Sequence, residues 1–305
     1  MDTRVSHSVA PLAALALLSC TGDEARAFLQ AQLTNDVEGL AADRVRRAGW
    51  CSAQGRLRAT FLVLPHDDGF LLQLARDIAP AVLKRLSMFV LRARVKLADV
   101  TDAWAQVGLW GNGAEVQLER LGLPVPQDLL QTARTGNTFV IRVAESRFLL
   151  LAPAAQGDLA GSLGKGARDA SWELEEIRAG LPQVVQATQE QFVPQMLNLE
   201  RLGAVDFKKG CYPGQEIVAR TQYRGVLKRR MVRARTAAPA AAGDELFGAD
   251  LPGQACGMVA NAAALEGGGS ELLAVVQISS LEGGLPLRLR APDGPELELL
   301  PLPYA

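Results

Sequence analysis

The sequence predicts an α+β protein that ends in a small β-barrel domain. Residues 46–100 read as three strands, a helix and a further strand, and residues 105–180 alternate strands with helices. After Met231 helical periodicity largely disappears, and five strand-like segments remain. The 305 residues suffice for two domains, or three small ones, at roughly 150 residues each. With 49% of residues in the hydrophobic set, the chain can build ordinary packed cores and is not a disordered protein.

Residues 10–20, APLAALALLSC, resemble a lipoprotein signal with Cys20 as the lipidated residue. The run is too short to cross a bilayer as a helix, and the preceding MDTRVSHS pairs one Arg with one Asp instead of carrying a positive charge. The competing reading, a buried strand that stays in a cytosolic protein, is the one adopted. Thr21 and Glu24 have capping-box spacing, and Ala25, Phe28, Leu29 and Leu33 then mark one helical face that ends at Asn35-Asp36. RRAGWCS, RLRATFLVL and FLLQLA follow as strands, with turns at Gln54-Gly55 and at Asp67-Asp68-Gly69. A helix is expected over 80–90, then a strand at ARVKLADV, which completes a β-β-β-α-β unit. AQVGLWG, TFVIRVA and RFLLLAP read as strands, and a Gly/Ala-rich break covers 157–166. MVRARTA, ACGMVANAAAL, ELLAVVQISS, LRLRAPDG and ELELLPL supply the barrel, with the AAPAAAG tract as a loop.

Cysteine and histidine usage narrows the chemistry. Cys20, Cys51, Cys211 and Cys256 lie far apart, without a CxxC pair, which reads as reduced thiols in the cytoplasm. His7 and His66 are the only histidines and no HExxH occurs, which argues against a zinc hydrolase or a histidine-dependent triad. No metal site is expected.

Charge is concentrated in one place. Net charge is −1, yet residues 208–235 hold nine basic side chains and a single acid, Glu216. An excess of eight positive charges points to an anionic partner, and Arg220, Arg224, Lys228 and Arg229 are the candidate anion-binding residues. The run surrounds the loop Gly210-Cys211-Tyr212-Pro213-Gly214, where Pro and Gly suit a turn and 215–223 can form a helix. Lys208, Lys209 and a helix N-terminus nearby favour thiolate charge, which marks Cys211 as a nucleophile, redox-sensitive thiol or soft ligand. The other three cysteines read as inert and buried. Trp172, ahead of Arg178-Ala179-Gly180, offers an aromatic platform for a flat heterocycle.

At these residues the chain resembles the YgfZ-type folate-binding proteins, relatives of the glycine-cleavage aminomethyltransferase. KKGCYPGQEIVAR carries the signature K-G-C-Y-x-G-Q-E, and FLQAQLTNDV at 28–37, GRL at Gly55, FVPQMLNLERLGAVDF at 192–207 and the terminal PLPY support it. The resemblance implies three domains in a ring around a tetrahydrofolate-binding channel. These are a folate-binding domain from 1–44 and 103–230, a ferredoxin-like β/α domain over 45–102, and the barrel over 231–305. It further implies an accessory factor that helps assemble or repair iron–sulfur clusters in client enzymes, including those that thiomethylate tRNA, so that tRNA is reached indirectly and no membrane is involved.

Carried over by position, Cys211 is the functional thiol, Lys208, Lys209, Gly210, Tyr212, Gly214, Gln215 and Glu216 form the signature loop, and Trp172 faces folate. Two positions depart from the pattern. Arg178 stands where the transferases place a pterin-binding Glu, and Leu15 replaces an aromatic on the first strand. The first departure and the cysteine signature favour an accessory factor over the alternative, a folate-dependent aminomethyltransferase. A third class, an RNA-binding module on the basic segment, has only Tyr212 and Tyr223 as interleaved aromatics.

Overall fold

A computed structural model describes residues 6–164 and 169–304. The last part of the Gly/Ala-rich break, from 165 on, therefore lies outside the described residues. Along the chain run β1 (Ser8–Pro11), β2 (Leu15–Thr21), α1 (Ala25–Gln32), β3 (Arg46–Cys51), β4 (Leu57–His66), β5 (Gly69–Ala75), α2 (Ala79–Ser87) and β6 (Lys96–Asp99). Next come β7 (Trp104–Trp110), α3 (Ala114–Arg120), β8 (Thr132–Thr135), β9 (Thr138–Ala144), β10 (Arg147–Pro153), α4 (Leu159–Leu163), α5 (Asp169–Arg178) and α6 (Gln215–Tyr223). The C-terminal part holds β11 (Arg229–Thr236), β12 (Glu245–Gly248), β13 (Ala255–Ala264), β14 (Ser270–Gln277), α7 (Ile278–Glu282), β15 (Leu287–Leu289) and β16 (Glu296–Leu300). The chain divides into two compact units, one of residues 1–29, 37–46 and 61–172, the other of 30–36, 47–60 and 173–305.

The first unit contains an antiparallel sheet of order β1-β7-β10-β9-β8. Its central strand β10 is buried from Arg147 to Ala152, because both faces are covered. Val107, Leu109, Phe148 and Leu150 form one face with Ala114 and Leu118 of α3 and Leu163 of α4. Phe139, Ile141, Leu149 and Leu151 form the other, packed with Leu17, Leu64 and Leu71 and with Trp172. This period-2 division of a continuous apolar run is what a doubly covered strand requires.

The β-β-β-α-β reading of 46–100 missed one strand. β2 enters from upstream and lies between β5 and β6, with Leu18 opposite both Leu72 and Asp99. Its run of Ala, Leu and Cys is apolar on both faces, a composition that suits an interior strand with two neighbours. Cys20, the residue of the signal-like run, is fully buried there opposite Phe70 and Leu97. The expected capping box is also replaced. Thr21 closes β2 opposite Gly69 and Lys96, and Glu24 Oε2 accepts the Arg94 amide at 2.6 Å.

The second unit holds a closed barrel of order β11-β14-β13-β12-β15-β16, with β16 returning to β11. Ala234, Leu246, Val259, Leu272, Ala274 and Leu289 fill its core. Near Ala260 the β13–β14 register shifts, and Asn261 exchanges two 2.9 Å hydrogen bonds with the backbone of Gln183. A bulge that re-aims one side chain in this way ties an irregular segment to the barrel.

Candidate functional site

Cys211 lies in a loop of the second unit whose shape is fixed from four directions. First, Tyr212-Pro213-Gly214-Gln215 is a type II turn: the Gln215 amide donates to the Tyr212 carbonyl at 3.2 Å, and Gly214 has φ +79°. A Cβ on Gly214 would stand 2.3 Å from the Ser52 carbonyl oxygen and 2.7 Å from the Gly55 backbone, so only glycine fits. Helix α6 then starts at Gln215, as its sequence signals, with Ile217 and Val218 amides donating to the Gly214 carbonyl. Gln195, 2% exposed, holds α6 from below by donating to the Val218 carbonyl at 2.7 Å.

Second, Asp206 Oδ1 accepts the amides of Lys208 and Lys209, at 2.7 and 3.2 Å, and so winds the residues that lead to the cysteine. Third, the segment before it is stitched down by Thr34 and Asn35. The Thr34 hydroxyl donates to Ala204 O and accepts from Gly49 N, each at 2.7 Å, and Asn35 Nδ2 donates to Arg47 O and Gly203 O. Sequence reading took Asn35-Asp36 only as a helix stop. A buried polar pair after an amphipathic helix was the available signal, because buried polar groups are placed by the hydrogen bonds they make.

Fourth, Lys209 does not sit as a solvated charge beside the thiol. Its ammonium donates to the carbonyls of Gln30 and Leu33, at 2.5 and 2.6 Å, and lies 5.3 Å from the Tyr212 ring centroid. A cation on the open carbonyls at the end of α1 is favoured by the helix dipole. Tyr212 is buried, and burial, together with the neighbouring Cys51 thiol, pushes its hydroxyl well above the ordinary range. Lys208, Gly210 and Glu216 are exposed, Gln215 is half-buried, and Glu216 pairs with Arg220 at 3.3 Å.

The four cysteines differ sharply. Cys211 is exposed, whereas Cys20, Cys51 and Cys256 are buried. Burial pushes the Cys20 and Cys51 thiols up to about 12, with Arg58 opposing the rise at Cys51, and burial also raises Cys256. A reagent or partner arriving through solvent therefore meets the Cys211 thiol first. Among the described residues, no group of three His, Cys, Asp or Glu side chains is placed to hold a metal ion.

The remaining residues singled out in the sequence have surroundings of their own. Trp172 belongs to the first unit, is 5% exposed, and lies on Gly108 so closely that a Cβ there would be 2.2 Å from its ring. Trp110 meets it edge-on at 5.8 Å and the Arg147 guanidinium lies 5.1 Å from its ring. Leu15 is half-buried in β2 and gives its carbonyl to Gln106 Nε2. Arg178 is engaged by its own chain: it donates to Glu271 Oε1 at 3.2 and 3.0 Å and to Glu175 Oε1 at 3.1 Å, and Arg233 takes the other Glu271 oxygen. Arg220, Arg224, Lys228 and Arg229 are exposed around the end of α6. Trp172 is thus covered by its own neighbours, and Arg178 offers no carboxylate and is engaged by Glu271.

Comparison with known proteins agrees with this architecture. The family described as "GCVT N-terminal domain" matches residues 1–143. The glycine cleavage system aminomethyltransferase T of Bartonella henselae superposes with a TM-score of 0.80 over 99% of this chain and 87% of its own, at 19% identity, and so shares the fold. "tRNA-modifying protein YgfZ" of Edwardsiella ictaluri is 32% identical over 94% of this chain and 89% of its own length. The protein of the same name from Sodalis glossinidius is 32% identical over 95% and 90%. By this likeness along nearly its whole length, the chain belongs to the YgfZ family of tRNA-modifying proteins.

Proposed function

We propose that the protein is a tetrahydrofolate-binding accessory factor that helps assemble or repair iron–sulfur clusters in client enzymes, among them enzymes that thiomethylate tRNA. Cys211 is its functional thiol. The observation that carries this reading is the contrast among the cysteines: one exposed thiol on a loop locked by Gly214, Lys209 and Asp206, against three buried ones. Locking costs conformational freedom and gains little stability at an exposed position, so the arrangement is better explained by presentation of the thiol than by packing. The family name supports a connection to tRNA modification.

Trp172 is the residue of this chain that would lie against the pterin or its neighbouring ring, by aromatic contact. When bound, folate supplies one-carbon chemistry; the chain contributes binding surface and the thiol. Engagement of Arg178 by Glu271 speaks against an aminomethyltransferase that relies on a carboxylate at this place. Titrating the pure protein with tetrahydrofolate tests the folate half of the reading. Saturable binding is expected, and an absence of binding at millimolar folate overturns it. Assay with an aminomethylated lipoyl carrier protein and tetrahydrofolate should give no methylene transfer or ammonia release, and turnover there would establish the transferase instead.

A further inference from the structure

We infer that the last turn of α6 and the segment leading into β11 form a binding surface for single-stranded RNA. This goes beyond the accessory-factor reading, in which tRNA is reached only through client enzymes.

The structure sorts the nine basic residues of 208–235 by partner and exposure. Three are used inside the fold: Lys209 on the Gln30 and Leu33 carbonyls, Arg230 on Glu200 at 2.9 Å and Arg233 on Glu271 at 3.2 Å; Arg235 pairs with Glu298 at 2.6 Å on the surface, and Lys208 is exposed before the cysteine. Arg220, Arg224, Lys228 and Arg229 are exposed and lie close in the chain, Arg220 in a solvent-exposed pair with Glu216 at 3.3 Å. Arg220 and Tyr223 stand at i and i+3 on one face of the helix end, and Arg224 is the residue that caps it. Arg224 and Gly225 amides both donate to the Arg220 carbonyl, which closes the helix and turns the chain toward Lys228 and Arg229.

Tyr223 makes this surface more than a charged patch. Its side chain is among the most open aromatics, 70% exposed, yet its ring is held edge-on by Phe207 at 5.9 Å and 70°. An oriented, open aromatic ring between Arg220 and Arg224 in the chain, with Lys228 and Arg229 following within six residues, is a combination that suits a nucleic-acid strand: cations track the phosphates and the ring stacks on a base. An acidic protein segment would use the cations and leave the ring idle. A continuous duplex keeps its bases stacked and out of reach, so the match is to loops, bulges and single strands.

Fluorescence anisotropy with a short fluorescein-labelled single-stranded RNA of mixed sequence tests this on the full chain. Binding should be saturable at about 50 mM salt, and the log–log salt slope should be about −2 to −3 for four phosphate contacts. Arg224→Ala with Lys228→Ala should flatten the slope by about 1 to 1.5. Tyr223→Ala should weaken binding about tenfold at unchanged slope, and Tyr223→Phe should restore it. Far-UV circular dichroism confirms that these surface variants fold. No binding at low salt, equal affinity of Tyr223→Ala and wild type, preference for duplex RNA, or displacement by poly-glutamate as effective as by unlabelled RNA would each overturn the inference. Trp172→Phe serves as the control for the folate reading and should leave RNA affinity unchanged.

Discussion

Gly214 and Gly55 meet backbone to backbone, at positions 159 residues apart in the sequence, and both have the positive φ that favours glycine, +79° and +70°. A Cβ on Gly214 would strike the Gly55 backbone at 2.7 Å, and one on Gly55 would stand 2.9 Å from Ile217 in the first turn of α6. The turn between β3 and β4 is thus the bed on which the cysteine loop and its helix rest.

From this follows a coupled effect. Gly55→Ala and Gly214→Ala should each lower stability by about 1–3 kcal/mol, through left-handed backbone strain and displacement of the opposing loop. Because both disturb one contact, the double variant should depart from additivity by about 0.5–3 kcal/mol. Urea denaturation of the four proteins measures this; strict additivity would show that the two glycines act separately.

Reactivity of the thiols gives the second prediction. Iodoacetamide near neutral pH should label Cys211 about tenfold faster, or more, than the other three, which react only after local opening. The buried thiols also set an alkaline limit. Cys20 and Cys51 have an ordinary value of 9.0 when released and about 12 in place, so the unfolded chain loses its protons first. Stability from keeping them neutral is complete below about pH 9 and is lost as pH rises toward 12. Replacing both by Ala should reduce the steepness of that loss, read by thermal melts between neutral and alkaline pH. Labelling of Cys51 or Cys256 at the rate of Cys211 would remove the distinction on which the site rests.

The third prediction concerns folate. Tetrahydrofolate should quench tryptophan emission, and Trp172→Phe should remove most of the quench, with Trp50, Trp104 and Trp110 as internal references. Gly108→Ala should disturb the same signal without touching the indole itself, because its methyl would stand 2.2 Å from the Trp172 ring. An undiminished quench in Trp172→Phe would move folate elsewhere.

How much of this was legible in the sequence depends on how local the cause is. Helix α6 and the turn before it follow from Pro213, Gly214 and a run of helix formers, and the barrel strands follow from period-2 alternation. β1, β8 and β12 have four residues each, too few for a period to register. The place of β2 is set by pairing with strands 48 or more positions downstream, which no local pattern encodes. Lys209 was read as one charge in a basic run; its role depends on carbonyls 179 and 176 residues away. Arg178 stood out as a departure, but its partner Glu271 could not be named from spacing. In each case the missing information was a long-range contact.

The proposed role of Cys211 is tested most directly by the level of thiomethylated tRNA in cells that carry Cys211→Ser in place of the wild-type protein. Serine is close to cysteine in size, and the position is exposed, so the variant should accumulate at wild-type abundance. Quantifying thiomethylated nucleosides by mass spectrometry should then show a loss as deep as that in cells lacking the protein. Wild-type levels of thiomethylation in Cys211→Ser cells would contradict the account and leave the cysteine without a functional role.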